Sequence, residues 1–306
     1  MINISIAVHG GAVNRTRSEI NPEQEWEFRK GILAALEAGW KILENNGSAL
    51  DAVHGAVVKL EDNPIFNAGR GSTLTRERSV ECDAGIMCGY ELKSGAVCGV
   101  KTVRNPVDAA RAVMDRSPYA MLRGPEADSF ASAIGLATAT NDYFIVPHRV
   151  KEWEISIKDP KNIFVEGDTV GAVALDSQGN LAASTSTGGL PGRIEGRIGD
   201  SPIVGAGFYA NNEACAVSIT GDGEKVIRGV FAHEVYALMK YGGKSIKEAI
   251  EQVFQFNDKQ IKAEMGIIGI DCDGNIYIKH NTPTMYRGYR TLDRAVAAVF
   301  YEDELR

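Results

Sequence analysis

The order of its patterned segments constrains this chain more than any single motif does. Ile2, Ile4, Ile6 and Val8 alternate with polar residues and stop at Gly10-Gly11, a half-buried strand ending in a tight turn. Pro22 and Glu23 open a helix whose Leu33, Leu36, Trp40 and Leu43 recur on one face. Asn45-Asn46-Gly47 ends it, and Ser48 with Asp51 can cap a second helix carrying Ala52, Val53, Ala56, Val57 and Leu60. Strands are predicted around Cys82–Cys88 and Ala96–Val103, then helices over Pro106–Met114 and Pro125–Ala137. Asn141–Gly167 is weakly periodic and reads as a connector. Beyond it lie Thr169–Leu175 and Leu181–Thr187, turned by Asp176-Ser177-Gln178-Gly179-Asn180, then strands near Ala206–Tyr209 and Ala214–Thr220. Two helices follow, one facing Ile227, Phe231, Val235 and Leu238 inward, the other Ile246, Ile250, Val253 and Phe254. Strands at Ile267–Asp271, Asn275–Ile278 and Val296–Tyr301 close the chain.

Strand pairs separated by grouped helices are not the βαβ alternation of a doubly wound parallel sheet. They suit antiparallel sheets covered on their outer faces by helices. The predicted fold is therefore α/β (α+β), a four-layer α/β/β/α sandwich forming one domain over residues 1–306. A chain of 306 residues can bury the core this needs.

Charge and missing motifs narrow the chemistry. Lys+Arg 33 against Asp+Glu 40 leaves a net charge of −7, which argues against nucleic acid and against an anionic membrane surface. No run approaches the ~18 apolar residues of a membrane-spanning helix. Met1–His9 has no basic segment, so no secretory leader is expected. The five cysteines form no CxxC and cannot all pair, which fits reduced thiols and a cytoplasmic protein. There is no Walker A sequence, and Gly205-Ala206-Gly207 lacks the third glycine of a dinucleotide fingerprint. His233-Glu234 has Ala237 where a zinc protease needs its second histidine, and no Gly-x-Ser-x-Gly elbow occurs. The histidines have no metal-ligand spacing with cysteines, so no side-chain metal site is expected.

What remains is a middle rich in hydroxyls. Asp168-Thr169 begins a buried strand directly after the connector, and Ser184-Thr185-Ser186-Thr187-Gly188-Gly189 ends its hairpin partner. A threonine hydroxyl is a weak nucleophile, and none of these has a nearby histidine in sequence. Cutting the chain before a threonine solves this, because its own α-amine becomes the general base. With a reference pKa of ~7.7–8.0 such an amine is suited to neutral pH. Arg197 and Asp200, on a loop between Gly196, Gly199 and Pro202, match an amino-acid head group: guanidinium for carboxylate, carboxylate for ammonium.

These residues belong to a set in which the chain resembles the plant-type asparaginase, or isoaspartyl aminopeptidase, family of N-terminal-nucleophile hydrolases, relatives of glycosylasparaginase. The matching motifs are Val8-His9-Gly10-Gly11-Ala12, Asn67-Ala68-Gly69-Arg70-Gly71, and Asp83-Ala84 with Met87 and Gly89. They continue as Thr169–Asp176, Thr185-Ser186-Thr187-Gly188-Gly189, Gly196–Pro202 and Thr220-Gly221, covering nearly the whole chain in the family's order.

The resemblance implies the N-terminal-nucleophile fold and self-cleavage between Asp168 and Thr169, into an α segment 1–168 and a β segment 169–306. It makes Thr169 the nucleophile and Thr187 the threonine that hydrogen-bonds it. Thr220 and Gly221 would form the oxyanion hole, and Arg197 and Asp200 the substrate clamp, with Gly223 allowing close approach. Asn67 would support the cleavage site. The implied substrates are L-asparagine and β-aspartyl dipeptides. No organic cofactor is implied, but backbone carbonyls near Leu60–Arg70 can hold a structural sodium ion, and the mature form is a homodimer of αβ units. Asp168 departs from the glycine common in the asparaginase branch and matches glycosylasparaginases. Glycosylasparagine hydrolysis is therefore the alternative reaction. An unprocessed, non-catalytic amino-acid-binding homologue is the alternative of another class.

Overall fold

The structure is a computed structural model that describes residues 4–158, 168–301 and 303. Its first sheet runs β12-β11-β1-β5-β6-β2-β3-β4. Those strands are β1 Ser5–Val13, β2 Cys82–Cys88, β3 Ser94–Val100, β4 Met121–Arg123, β5 Val170–Leu175, β6 Leu181–Thr187, β11 Thr284–Arg290 and β12 Ala295–Phe300. The second sheet runs β10-β9-β8-β7, from Ile276–His280, Met265–Asp271, Cys215–Gly221 and Phe208–Asn211. The strands within both sheets pair antiparallel, except that β4 lies parallel to β3.

Eight α-helices accompany them among the described residues: α1 Pro22–Glu44, α2 Ala49–Glu61, α3 Pro106–Arg116, α4 Gly124–Ala133, α5 Pro147–Lys158, α6 Gly223–Gly229, α7 Phe231–Lys240 and α8 Ile246–Phe256. Three buried clusters mark the interfaces between four layers. Ile32, Leu36, Val53 and Val57 from the helices meet Ile6, Val8, Val170 and Ala172 of the first sheet. Val173, Leu175, Leu181 and Ala183 meet Phe208, Ala216, Ile268 and Ile270 between the sheets. Val217, Ile219 and Ile267 meet Phe231, Val235, Ile250 and Val253 on the far side. Each Val, Leu, Ile or Phe side chain among them contributes roughly 1.5–3 kcal/mol on burial. The expected α/β/β/α sandwich is the observed one.

Alternation along β5 determines which side chains can reach the space between the sheets. Val170, Ala172 and Ala174 join the helix-side core, whereas Val173 and Leu175 join the inter-sheet core. The β5–β6 turn is fixed by Asp176, whose Oδ1 accepts the N–H groups of Gln178 and Asn180 while Oδ2 accepts that of Ala49 at the start of α2.

Several local expectations need correction. Leu33 is exposed and its neighbour Ile32 is buried, because the inward stripe of α1 is Phe28, Ile32, Ala35, Leu36, Trp40 and Leu43. The connector contains α5, opened by Pro147 and anchored by buried Arg149 and Ser156; residues 159–167 of the connector lie outside the described residues. The helix expected across Ile227–Leu238 is two helices, broken where Val230 takes a left-handed φ of 48°. Strands β4 and β11 were not expected from the sequence.

Candidate active site

Strand register gathers the predicted residues. Asp83 on β2 stands directly opposite Thr187 on β6. Continuing the β5–β6 pairing one rung beyond Val170↔Ser186 puts Thr187 opposite Thr169, while the β1–β5 pairing stops at His9↔Gly171. Asp83, Thr187 and Thr169 thus form a row across the sheet, and all three are buried.

Thr169 Oγ1 lies 2.9 Å from Ser201 Oγ, and the Ser201 carbonyl accepts the Thr185 hydroxyl. In this uninterrupted chain Thr187 does not bond Thr169; its Oγ1 accepts the Gly189 N–H at 3.0 Å. The Thr169 carbonyl is held by His9 Nδ1 at 2.9 Å, and His9 Nε2 lies 2.7 Å from Ser218 Oγ. A carbonyl only accepts, so Nδ1 carries the proton and Nε2 accepts from Ser218. Burial pushes the His9 imidazole down to about 3, against the pull of its bond to Thr169, and keeps it neutral.

A break in β1 brings Thr220 onto the same strand's end. The register with β11 shifts between His9 and Ala12, where Gly11 has φ +113°. A Cβ on Gly11 would stand 2.8 Å from Asp168 Cα, so only glycine lets the cleavage junction lie there. Beyond the bulge, the Ala12 N–H donates to Thr220 Oγ1 at 3.3 Å. Gly221, at φ +143°, would drive a Cβ to 2.2 Å from the Glu264 carbonyl oxygen. Its close approach is to the backbone leading into β9.

Arg197 and Asp200 also converge. A Cβ on Gly223 would lie 3.0 Å from both Arg197 Nη2 and Asp200 Oδ1. Asp200 is 2% exposed, and burial pushes its carboxyl up to about 7, against the pull of Arg197. Its Oδ2 has no hydrogen-bond partner among the described residues, an orphaned acceptor beside a guanidinium. Arg197 itself is engaged by Glu224, through Nε–Oε1 and Nη2–Oε2 bonds of 2.8 Å each.

Asn67 stands apart from the junction. Its side chain donates to the Gly189 carbonyl and accepts the Thr73 N–H, and its own carbonyl accepts the Gly188 N–H. It braces the turn after Thr187 rather than Asp168. Buried Arg193 does the same from the other side, bonding the Gly188 carbonyl, the Arg197 carbonyl and Glu81. Among the described residues no three His, Cys, Asp or Glu side chains stand close enough to hold a metal ion.

Ser201, His9 and Asp83 lie within motifs visible in the sequence, but their partners are too distant along the chain for spacing to assign them roles. Ser218, Arg193 and Glu224 carried no signal of their own.

Similarity to known proteins identifies the family. A family model described as Asparaginase matches residues 2–299. The isoaspartyl peptidase of Escherichia coli K12 is 44% identical over 294 residues, covering 93% of this chain and 92% of its own length. The isoaspartyl peptidase/L-asparaginase of Bos taurus is 40% identical over 93% of this chain and 92% of its own. That of Mus musculus is 38% identical over 93% and 87%. With such a match along nearly its whole length and a four-layer fold to go with it, the chain belongs to the asparaginase family of N-terminal-nucleophile hydrolases.

Proposed function

We propose that this chain cuts itself between Asp168 and Thr169, giving segments 1–168 and 169–306 of one domain, and then hydrolyses L-asparagine and β-aspartyl dipeptides. One observation carries the reading: the Thr169 hydroxyl bonds Ser201, the residue next to the orphaned carboxylate of Asp200. Nucleophile and head-group acceptor are therefore neighbours.

In self-cleavage, Thr169 Oγ1 attacks the Asp168 carbonyl carbon, the peptide C–N bond breaks, and water hydrolyses the resulting ester. Thr169 is left with a free α-amine. In turnover that amine takes the hydroxyl proton as Oγ1 bonds the substrate's side-chain carbonyl carbon. Thr220 Oγ1 and the Gly221 N–H face the developing oxyanion, a contribution of roughly 3–4 kcal/mol per donor. Collapse breaks the substrate C–N bond and returns the proton to the departing amine. Water then cleaves the acyl-enzyme and releases aspartate. Arg197 takes the α-carboxylate and Asp200 the α-ammonium; Asp200 starts near 7, so binding an ammonium draws its proton away.

The test is a turnover panel of L-asparagine, β-aspartyl-leucine and a glycosylasparagine, with Thr169→Ala as control. Release of aspartate from the first two supports the reading. Activity on the glycosylasparagine alone would instead support the reaction that Asp168 brings to mind, and binding of asparagine without turnover the non-catalytic one.

A structural sodium ion near Leu60–Arg70 is supported by the Pro64 and Phe66 carbonyl oxygens. They lie 2.4 and 2.7 Å from where a Cβ on Gly71 would stand, so two hard oxygen donors sit side by side against that glycine. Exchange of sodium for a bulky organic cation is expected to lower the melting temperature; an unchanged one removes the ion. Five unpaired cysteines support a reducing, cytoplasmic setting. No helix among the described residues is long and apolar enough to cross a membrane. Exposed Trp26 and Leu33, seven residues apart on one face of α1, support a homodimer of αβ units, which sedimentation would test.

A further inference from the structure

The imidazole of His9 is fully buried and does not enter the reaction described above. The β1–β5 pairing ends at His9↔Gly171, yet the Thr169 carbonyl, two residues beyond Gly171, is held by the His9 side chain. The ring lies where Gly171 has no side chain: a Cβ there would meet Ser218 Oγ at 2.1 Å and His9 Nε2 at 2.5 Å. Its other nitrogen takes the Ser218 hydroxyl of β8, in the opposite sheet. Ser218 and Thr220 alternate onto the same face of β8 as Ala216, which packs between the sheets.

We propose that His9 is a positioning residue for this reaction: by bridging the Thr169 carbonyl to the Ser218 hydroxyl, it fixes the nucleophile relative to the oxyanion threonine two residues further along β8. The inference rests on the reading of Thr169 as nucleophile. Its need becomes acute after cleavage, when Thr169 is a chain end, and chain ends fray unless tied down. The His9 bond ties the terminal residue by its own carbonyl, leaving the α-amine and hydroxyl to react. Because the imidazole is neutral, the bridge adds no charge beside the amine that must act as base.

The experiment compares wild type with His9→Ala, His9→Asn and Ser218→Ala, measuring maturation half-time, kcat and KM on the matured fraction, and melting temperature. An asparagine amide nitrogen can take the place of Nδ1 toward the Thr169 carbonyl, but it cannot reach Ser218. His9→Ala is expected to lose at least 30-fold in kcat with KM within about threefold, and His9→Asn to recover at least tenfold of that loss. Ser218→Ala should fall between His9→Asn and wild type. In wild type, nitrogen NMR should show a histidine signal with protonated Nδ1 and unprotonated Nε2 from pH 5 to 9 that disappears in His9→Asn, while the like signal of His280 stays.

Undiminished kcat in His9→Ala overturns the proposal, as does His9→Asn no better than His9→Ala, or kcat and KM failing together with melting temperature. Should His9→Ala not fold, His9→Asn and Ser218→Ala decide: reduced kcat at constant KM supports the bridge, and wild-type kcat in both overturns it. A wild-type chain that never matures or turns over overturns the reading of Thr169, and the bridge with it. Wild-type turnover with undiminished variants overturns the bridge alone.

Discussion

The guanidinium of Arg197 is held bidentately by the carboxylate of Glu224, with both N–O distances at 2.8 Å. The side chain assigned to the substrate carboxylate is therefore occupied by a protein carboxylate before substrate arrives. Glu224 is 55% exposed, so solvent can take it back cheaply when a substrate competes. Glu224→Gln, which weakens the competitor, is expected to lower KM severalfold at constant kcat. Arg197→Lys loses the fork geometry and should raise KM by about 10- to 100-fold. Steady-state kinetics on β-aspartyl-leucine reads both; an unchanged KM in Arg197→Lys would remove Arg197 from the clamp.

Among the described residues Ser201 is the hydroxyl partner of Thr169 in the uncut chain, and Thr185 holds Ser201 by its carbonyl. Ser201→Ala leaves the Thr169 hydroxyl buried without that bond, a loss of roughly 1–3 kcal/mol. Maturation is expected to slow by about tenfold or more, followed as the disappearance of intact chain on denaturing gels. Wild-type maturation in this variant would make the contact incidental.

Gly11 is the one residue type that fits beneath Asp168. Gly11→Ala combines a left-handed φ of +113° with a Cβ 2.8 Å from the Asp168 backbone. The junction must move, so the variant is expected to fold with a lowered melting temperature and to remain uncut. Rapid cleavage would show that the junction has slack.

Much of the fold was legible because most buried strands here are plain in composition. Leu181–Thr187 and Cys82–Cys88 could be read with their observed bounds, and grouped helices implied the four layers. β11 was not legible. Thr284–Arg290 carries Arg287 into the core, where its guanidinium is met by the Met285 and Phe300 carbonyls, and a charge in a short run reads as surface. Thr169, Thr187, Thr220, Arg197 and Asp200 could be named from local motifs. Their connections could not, since Ser201 is 32 residues from Thr169 and Ser218 is 209 from His9. Such partners are set by register and sheet stacking, which spacing does not reveal.

Buried groups pull the pH dependence of stability in opposite directions. His9 and His280, pushed down to about 3 chiefly by burial, stay neutral when folded but take protons near 6.5 when unfolded. Stability therefore falls as pH drops from about 6.5 toward 3. Glu61 and Asp200, pushed up to about 8 and about 7 chiefly by burial, keep protons that the unfolded chain loses near 4.5 and 3.8. Their contribution is full below those values and is lost as pH rises through 7 to 8. The opposed slopes offset in part between about pH 4.5 and 6.5, where Asp83, also raised by burial, adds to the carboxyl side, so the melting temperature of uncut Thr169→Ala should vary less there than on either side. Glu61→Gln should soften the alkaline fall; an unaltered fall would mean Glu61 ionises normally.

The most direct measurement is the denatured mass spectrum of freshly purified wild-type chain, repeated after incubation at neutral pH. The expected result is two masses, split between Asp168 and Thr169, that sum to the whole chain plus one water, while Thr169→Ala stays intact. A wild-type chain that keeps a single uncut mass would contradict Thr169 as an amine-activated nucleophile.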